Sequence, residues 1–113
     1  VASASSDKPL SRVFAYSASK AALVSLTKNL AREWGPFGVR VNALSPGFFP
    51  AEQNRAILDE ARKSAILRHT PMGRFGQPDD LDGAVVLLAS DVGGRFITGQ
   101  NLFVDGGFTS MSI

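Results

Sequence analysis

A helical pattern that runs without interruption from Val13 to Trp34 constrains the fold of this chain more than any other feature. Small and apolar residues recur in it at four-residue intervals, at Ala18, Ala22, Leu26 and Leu30. That spacing places them on one face of a helix. Gly35-Pro36 follows directly and ends the pattern, because neither residue continues a helix well. We therefore predict one long helix whose leucines lie in a core or at a subunit interface.

Tyr16 and Lys20 stand at the head of this helix and share one of its faces, with Cβ atoms about 5–6 Å apart. A free phenol titrates near 10, and a fixed ammonium group beside it favours the phenolate. Lowering the pKa of a tyrosine by about three units takes roughly 4 kcal/mol. The pair can therefore serve proton transfer near neutral pH, or it can be an ordinary solvated pair on a helix surface.

Three segments have the pattern of strands. Apolar and polar residues alternate from Val39 to Leu44, and a short run from Gln100 to Val104 precedes the turn Asp105-Gly106-Gly107. Val1 to Ser3 is predicted to be the tail of a further strand. Strands that alternate with helical segments indicate an α/β fold.

Two more helices are predicted between the strands. Residues Ala51 to Arg68 form a polar helical pattern. Pro78 begins the next helix, with Asp79 and Asp80 in its first turn, and this helix ends near Ser90. So few strands are marginally stable in water, so we expect the isolated chain to be poorly stable or to self-associate.

Composition limits the classes of function. The chain has 113 residues, of which 44% are hydrophobic, enough for one ordinary domain. Its 12 basic and 10 acidic residues are scattered, so no nucleic-acid partner is expected. The absence of cysteine excludes disulfides and fits a cytoplasmic location. No apolar run approaches the roughly 20 residues that span a bilayer, so no membrane partner is expected.

Several motifs in order resemble one family. They are the Tyr16-Ser17-Ala18-Ser19-Lys20 segment with Ser3 upstream, Val39 to Gly47, Gly73-Arg74-Phe75-Gly76-Gln77-Pro78, Ile97 to Gln100, and Val104 to Gly107. In this order and spacing they resemble the C-terminal half of a short-chain dehydrogenase/reductase. The resemblance extends from Val1 to about Phe108.

The resemblance implies a Rossmann-like, doubly wound parallel sheet of which residues 1–113 form one partial domain. The family's Gly-rich turn and its NAD- or NADP-selecting residue are not found in this sequence, so the N-terminal dinucleotide-binding half is expected to be missing. The implied cofactor is NAD or NADP in the full-length parent, and the fragment itself is expected to bind none. Dimers or tetramers of identical subunits are implied as well.

The resemblance also assigns roles to residues. Tyr16 would be the general acid and base, Ser3 would bind the substrate oxygen, and Lys20 would lower the Tyr16 pKa and hold the nicotinamide ribose. Nearby serines (Ser5, Ser6, Ser11) are alternatives to Ser3. Contact with the nicotinamide is assigned to Pro46, Gly47 and Phe48. A threonine common shortly after this turn is absent, and Ala51 occupies its place.

The segments from Phe48 to Arg55 and from His69 to Gly76 resemble the sugar-acid branch of the family, of the mannonate/fructuronate type. Gln53, Asn54 and Arg55 offer donors for the hydroxyls and carboxylate of such a substrate. An ordinary solvated start of a helix explains these three residues equally well.

Three other polar residues are predicted to be structural. Asn42 is expected to link the sheet, His69 to lie in a loop or cap a helix, and Asp105 to form a turn. The resemblance implies part of an oxidoreductase that transfers a hydride between NAD(P) and a carbonyl or secondary alcohol of a small molecule, with a sugar acid as the expected substrate. The alternatives are a non-catalytic remnant that only self-associates and part of a 3-oxoacyl-type reductase.

Overall fold

The computed structural model describes residues 1–50 and 59–112. They form an α/β arrangement of three α-helices and two strands, joined by short 3-10 turns. In chain order the elements are α1 (Phe14–Trp34), β1 (Ala43–Pro46), α2 (Glu60–Arg68), α3 (Asp82–Ala89) and β2 (Asn101–Val104).

The two strands lie side by side and run parallel, with Ala43 opposite Asn101 and Pro46 opposite Val104. Parallel neighbours require a long crossover, and α2 and α3 lie in that connection. Ser45, which is fully buried, donates its hydroxyl to the Asn101 side chain across the pair at 2.6 Å. The parallel sheet agrees with the predicted fold class.

The first strand begins later than predicted, at Ala43 rather than Val39. Val41 donates its N–H to the Thr98 side chain at 3.0 Å and accepts from the Gly99 N–H at 2.7 Å. The residues before Ala43 therefore bond to the turn that precedes β2, and a ladder forms only where β2 has begun. Asn42 links the same two segments, as predicted, because its side chain donates to the Ile97 carbonyl at 2.9 Å.

The N-terminal residues, which were predicted to be the tail of a further strand, run beside β1. Ala2 donates its N–H to the Leu44 carbonyl at 2.7 Å and is buried. Val1 to Ser3 is not itself a regular strand, and a 3-10 turn follows at Ala4–Ser6. The edge of β1 is thus partly covered by the chain's own first residues.

The helices agree with the prediction except at their ends. Helix α1 ends at Trp34, as expected. Helix α2 begins at Glu60 because the Asp59 carboxylate accepts the Arg62 N–H at 2.7 Å and caps it. The earlier part of the predicted helix lies outside the described residues. A 3-10 turn, Pro78–Leu81, precedes α3, so that helix is shorter than predicted.

The core of the described residues is small. The buried apolar side chains are Ala2, Ala4, Ala31, Ala43, Leu44, Ile66 and Phe108. Of the residues in α1, only Thr27 and Ala31 are buried, whereas Leu26 is 50% exposed. Within the described residues, the predicted apolar face of α1 is therefore largely exposed. None of the described helices is both long and apolar enough to cross a membrane.

Candidate active site

Ser3 and Tyr16 lie on one cleft of about 340 Å³. The start of the chain, the head of α1, the exit of β1 and the first turn of α2 surround it. Its lining consists of Ser3, Ala4, Leu10, Val13, Tyr16, Gly47, Phe48, Phe49, Pro50 and Arg62. Residues far apart in the sequence thus meet at the carboxyl end of β1, where ligands of open α/β sheets usually bind.

Ser3 is the residue that caps the 3-10 turn Ala4–Ser6. Its hydroxyl oxygen accepts from the Ser5 N–H at 3.2 Å and from the Ser5 hydroxyl at 3.0 Å. Because both contacts use the oxygen as acceptor, the Ser3 O–H remains able to donate. Ser5 supports Ser3, and Ser6 donates to the Ser3 carbonyl at 2.7 Å. Of these serines, only Ser3 lines the cleft.

Tyr16 and Lys20 lie on the same face of α1, as the spacing predicts. The Lys20 ammonium is 5.4 Å from the centre of the Tyr16 ring. It also donates to the Val1 carbonyl at 3.1 Å, which ties α1 to the first residues of the chain. The phenol is half-exposed and faces the cleft. A ligand can therefore reach the Tyr16 hydroxyl.

The exit of β1 supplies another wall. Gly47 donates its N–H to the Val104 carbonyl at 3.0 Å, which keeps the exits of the two strands together. Phe48 packs edge-on against Phe108, with ring centres 5.1 Å apart. Gly47 and Phe48 line the cleft, whereas Pro46, predicted beside them, is the last residue of β1 and does not.

Asp105 organises the turn after β2, as predicted. Its carboxylate accepts from the Gly107 N–H at 2.9 Å and from the Thr109 N–H and hydroxyl at 2.8 and 2.7 Å. Partial burial is the largest single influence and acts to raise the Asp105 pKa, but these hydrogen bonds together outweigh it and lower the pKa. His69 is likewise structural, because it caps the end of α2.

A second cavity of about 250 Å³ shares Phe48 and Phe49 with the first. Arg74 and Asp80 lie on it and pair through two bonds of 2.6 and 2.9 Å. The hydrogen bond from Arg74 holds the Asp80 pKa well below its usual range. Asp80 also accepts from the Gln77 N–H at 2.8 Å, so the pair fixes the loop that leads into α3.

Arg62 is the one charged residue among the described residues that line the cleft, and the sequence did not indicate it. The sequence of its helix contains many polar residues and does not distinguish the one that faces a site. Which residue does so depends on how the helix packs. The substrate residues predicted from the sequence, Gln53, Asn54 and Arg55, lie outside the described residues. Among the described residues, no cluster of His, Asp or Glu side chains could hold a metal ion.

Comparison with known proteins reveals extensive similarity. Residues 1–109 match the family model described as enoyl-(acyl carrier protein) reductase. Gluconate 5-dehydrogenase of Gluconobacter oxydans is 43% identical over 95 residues, which are 83% of this chain and 37% of that protein. The chain thus spans about two fifths of that relative's length.

Solved structures of related oxidoreductases are similar to this chain as well. A gluconate 5-dehydrogenase from Burkholderia cenocepacia, in complex with NADP and tartrate, is 41% identical with a TM-score of 0.92, over 98% of this chain and 44% of that one. A provisionally assigned D-mannonate oxidoreductase from Haemophilus influenzae, with bound NAD, is 40% identical with a TM-score of 0.93, over 98% and 42%. This chain belongs to the short-chain dehydrogenase/reductase family, among relatives that include sugar-acid oxidoreductases.

Proposed function

We propose that the protein containing this chain transfers a hydride between NAD or NADP and the carbonyl or secondary alcohol carbon of a sugar acid. The observation that carries the proposal is that Ser3 and Tyr16 line one cleft while Lys20 lies beside the Tyr16 ring. Relatives named for gluconate and mannonate chemistry support the substrate class.

In carbonyl reduction, Tyr16 donates its phenolic proton to the substrate oxygen, and in alcohol oxidation the phenolate takes that proton back. Ser3 donates its free O–H to the same oxygen and stabilises the negative charge that develops there. Lys20 places its positive charge 5.4 Å from the centre of the Tyr16 ring, beside the group that exchanges the proton. These roles need one proton donor and one fixed hydrogen-bond donor on the same cleft.

The residues present suit the nicotinamide end of a dinucleotide, which supplies or accepts the hydride when bound. The Lys20 ammonium has three N–H donors, and one of them is used on the Val1 carbonyl. The other two have no acceptor among the described residues and would be the donors for ribose hydroxyls. Gly47 adds backbone atoms to the wall of the same cleft.

The test uses a chimera in which residues 1–113 replace the matching segment of the Gluconobacter gluconate 5-dehydrogenase. Tyr16→Phe should lower turnover of gluconate by about 10²–10⁴-fold and leave cofactor binding nearly intact. Lys20→Ala should impair both. Lys28→Ala, which changes an exposed lysine of the same helix, is the control. If Tyr16→Phe kept more than about a tenth of the activity, the role given to Tyr16 would be wrong.

A further inference from the structure

We propose that Arg62 binds the carboxylate of the substrate and thereby selects acids over neutral sugars and polyols. This inference rests on the proposed function, because it concerns the same cleft. The first observation is one of charge: the other residues that line the cleft are uncharged, and Arg62 brings the one ionic group among its described lining residues.

The guanidinium group of Arg62 is held in place. It donates to the Ser11 hydroxyl at 3.4 Å and to the Ser11 carbonyl at 3.2 Å. Its backbone N–H is bound by the Asp59 carboxylate at the start of α2. Both the backbone and the guanidinium group of Arg62 are therefore positioned before a ligand binds, which reduces the conformational entropy lost on binding.

The same group retains binding capacity. A guanidinium has five N–H donors, and the two bonds to Ser11 use two of them. The acidic side chains at the start of α2 make other bonds than an ion pair with this guanidinium: Asp59 accepts the backbone N–H of Arg62, and Glu60 pairs with Lys63 at 2.7 Å. Within the described residues, Arg62 thus pairs with no carboxylate of the protein and can pair with one from a ligand.

The setting suits a small anion. A volume of about 340 Å³ lies at the lower end of the usual range for ligand sites, which fits a molecule of six carbons or so. Apolar and aromatic walls reduce the local dielectric and strengthen an ion pair within it. Arginine and a carboxylate also pair through two parallel hydrogen bonds, which fixes the orientation of the ligand as well as its charge. Ser3 and Tyr16 on the same cleft would then receive the reacting hydroxyl.

The experiment measures kcat/KM of the chimera for gluconate and for glucitol, in which a neutral CH₂OH replaces the carboxylate. Arg62→Gln should lower kcat/KM for gluconate by about 10- to 100-fold, chiefly by raising KM, and leave kcat/KM for glucitol unchanged. Arg62→Lys keeps the charge without the two-pronged geometry and should lose less. The control is Arg68→Gln. Arg68 is an exposed arginine of α2 that donates to the Ser64 hydroxyl, and its replacement should change kcat/KM for neither substrate.

The outcomes separate the two proposals. If the unaltered chimera oxidises neither gluconate nor a related acid, the proposed substrate class is wrong. The assignment of Arg62 is overturned if the chimera oxidises gluconate and Arg62→Gln leaves that activity intact. It is also overturned if Arg62→Gln lowers kcat/KM equally for gluconate and glucitol. Should Arg62→Gln fail to fold, Arg62→Lys decides, because an unchanged KM for gluconate together with an unchanged preference over glucitol would also overturn it.

Discussion

Gly47 packs so tightly against Asp105 that a Cβ atom on Gly47 would stand 2.7 Å from the Cα atom of Asp105 and 2.8 Å from its Cβ atom. The obstruction includes backbone, which cannot rotate away as the tip of a long side chain can. The turn after β1 and the turn after β2 therefore touch directly. This contact sets the position of the cleft wall that Gly47 and Phe48 form.

We expect Gly47→Ala to destabilise the chimera by about 1–3 kcal/mol, because the added methyl group forces the two turns apart. Urea unfolding provides the measurement. Gly83→Ala is the matched control, since Gly83 lies in α3 with nothing within 4 Å of an added Cβ atom, and it should be neutral or stabilise by up to about 1 kcal/mol. Equal effects of the two substitutions would contradict the contact.

Asp105 should make stability depend on pH. Its folded pKa is lowered, so the ionised carboxylate stabilises the fold above the unfolded value of about 3.9, and this contribution is lost as pH falls through the folded value. The stability difference between the parent and Asp105→Asn should therefore be larger at pH 7 than at about pH 3. Unfolding in urea across this range tests it, with Asp7→Asn, an exposed loop residue, as control. A difference that does not change with pH would refute the linkage.

The chain by itself should not be a stable monomer. Large apolar side chains are at least half exposed on several elements: Phe14, Leu26, Phe37, Met72, Val86, Val92 and Phe96. Exposed apolar surface on this scale favours association. Analytical ultracentrifugation of residues 1–113 should reveal oligomers or aggregates, and a monodisperse monomer that unfolds cooperatively would count against this expectation.

We also expect the isolated chain to bind NAD(H) and NADP(H) weakly, with a Kd above about 1 mM, equivalent to roughly −4 kcal/mol. The pyrophosphate of a dinucleotide gains most of its affinity at a Gly-rich helix start, and the sequence has no such motif. Isothermal titration calorimetry of the chain beside the chimera measures this difference. A micromolar Kd for the chain alone would show that it holds a cofactor site of its own.

Local patterns were enough to predict the parts of the fold that depend on local interactions. The spacing in α1 and the Gly35-Pro36 stop predicted that helix to within a residue, since helical periodicity and termination are properties of neighbouring residues. The start of β1 was misplaced by four residues because a ladder requires a partner, and the alternation that begins at Val39 says nothing about where β2 begins.

The same division holds for the site. The sequence by itself determined that Tyr16 and Lys20 share a helix face, and its motifs identified the family. Only the tertiary structure decided that Ser3 lines the cleft, that Pro46 does not and that Arg62 does. The physical reason is that a cleft is formed by backbone segments distant in sequence. Which side chains face it depends on strand pairing and on how α2 packs, and neither is encoded in the spacing of nearby residues.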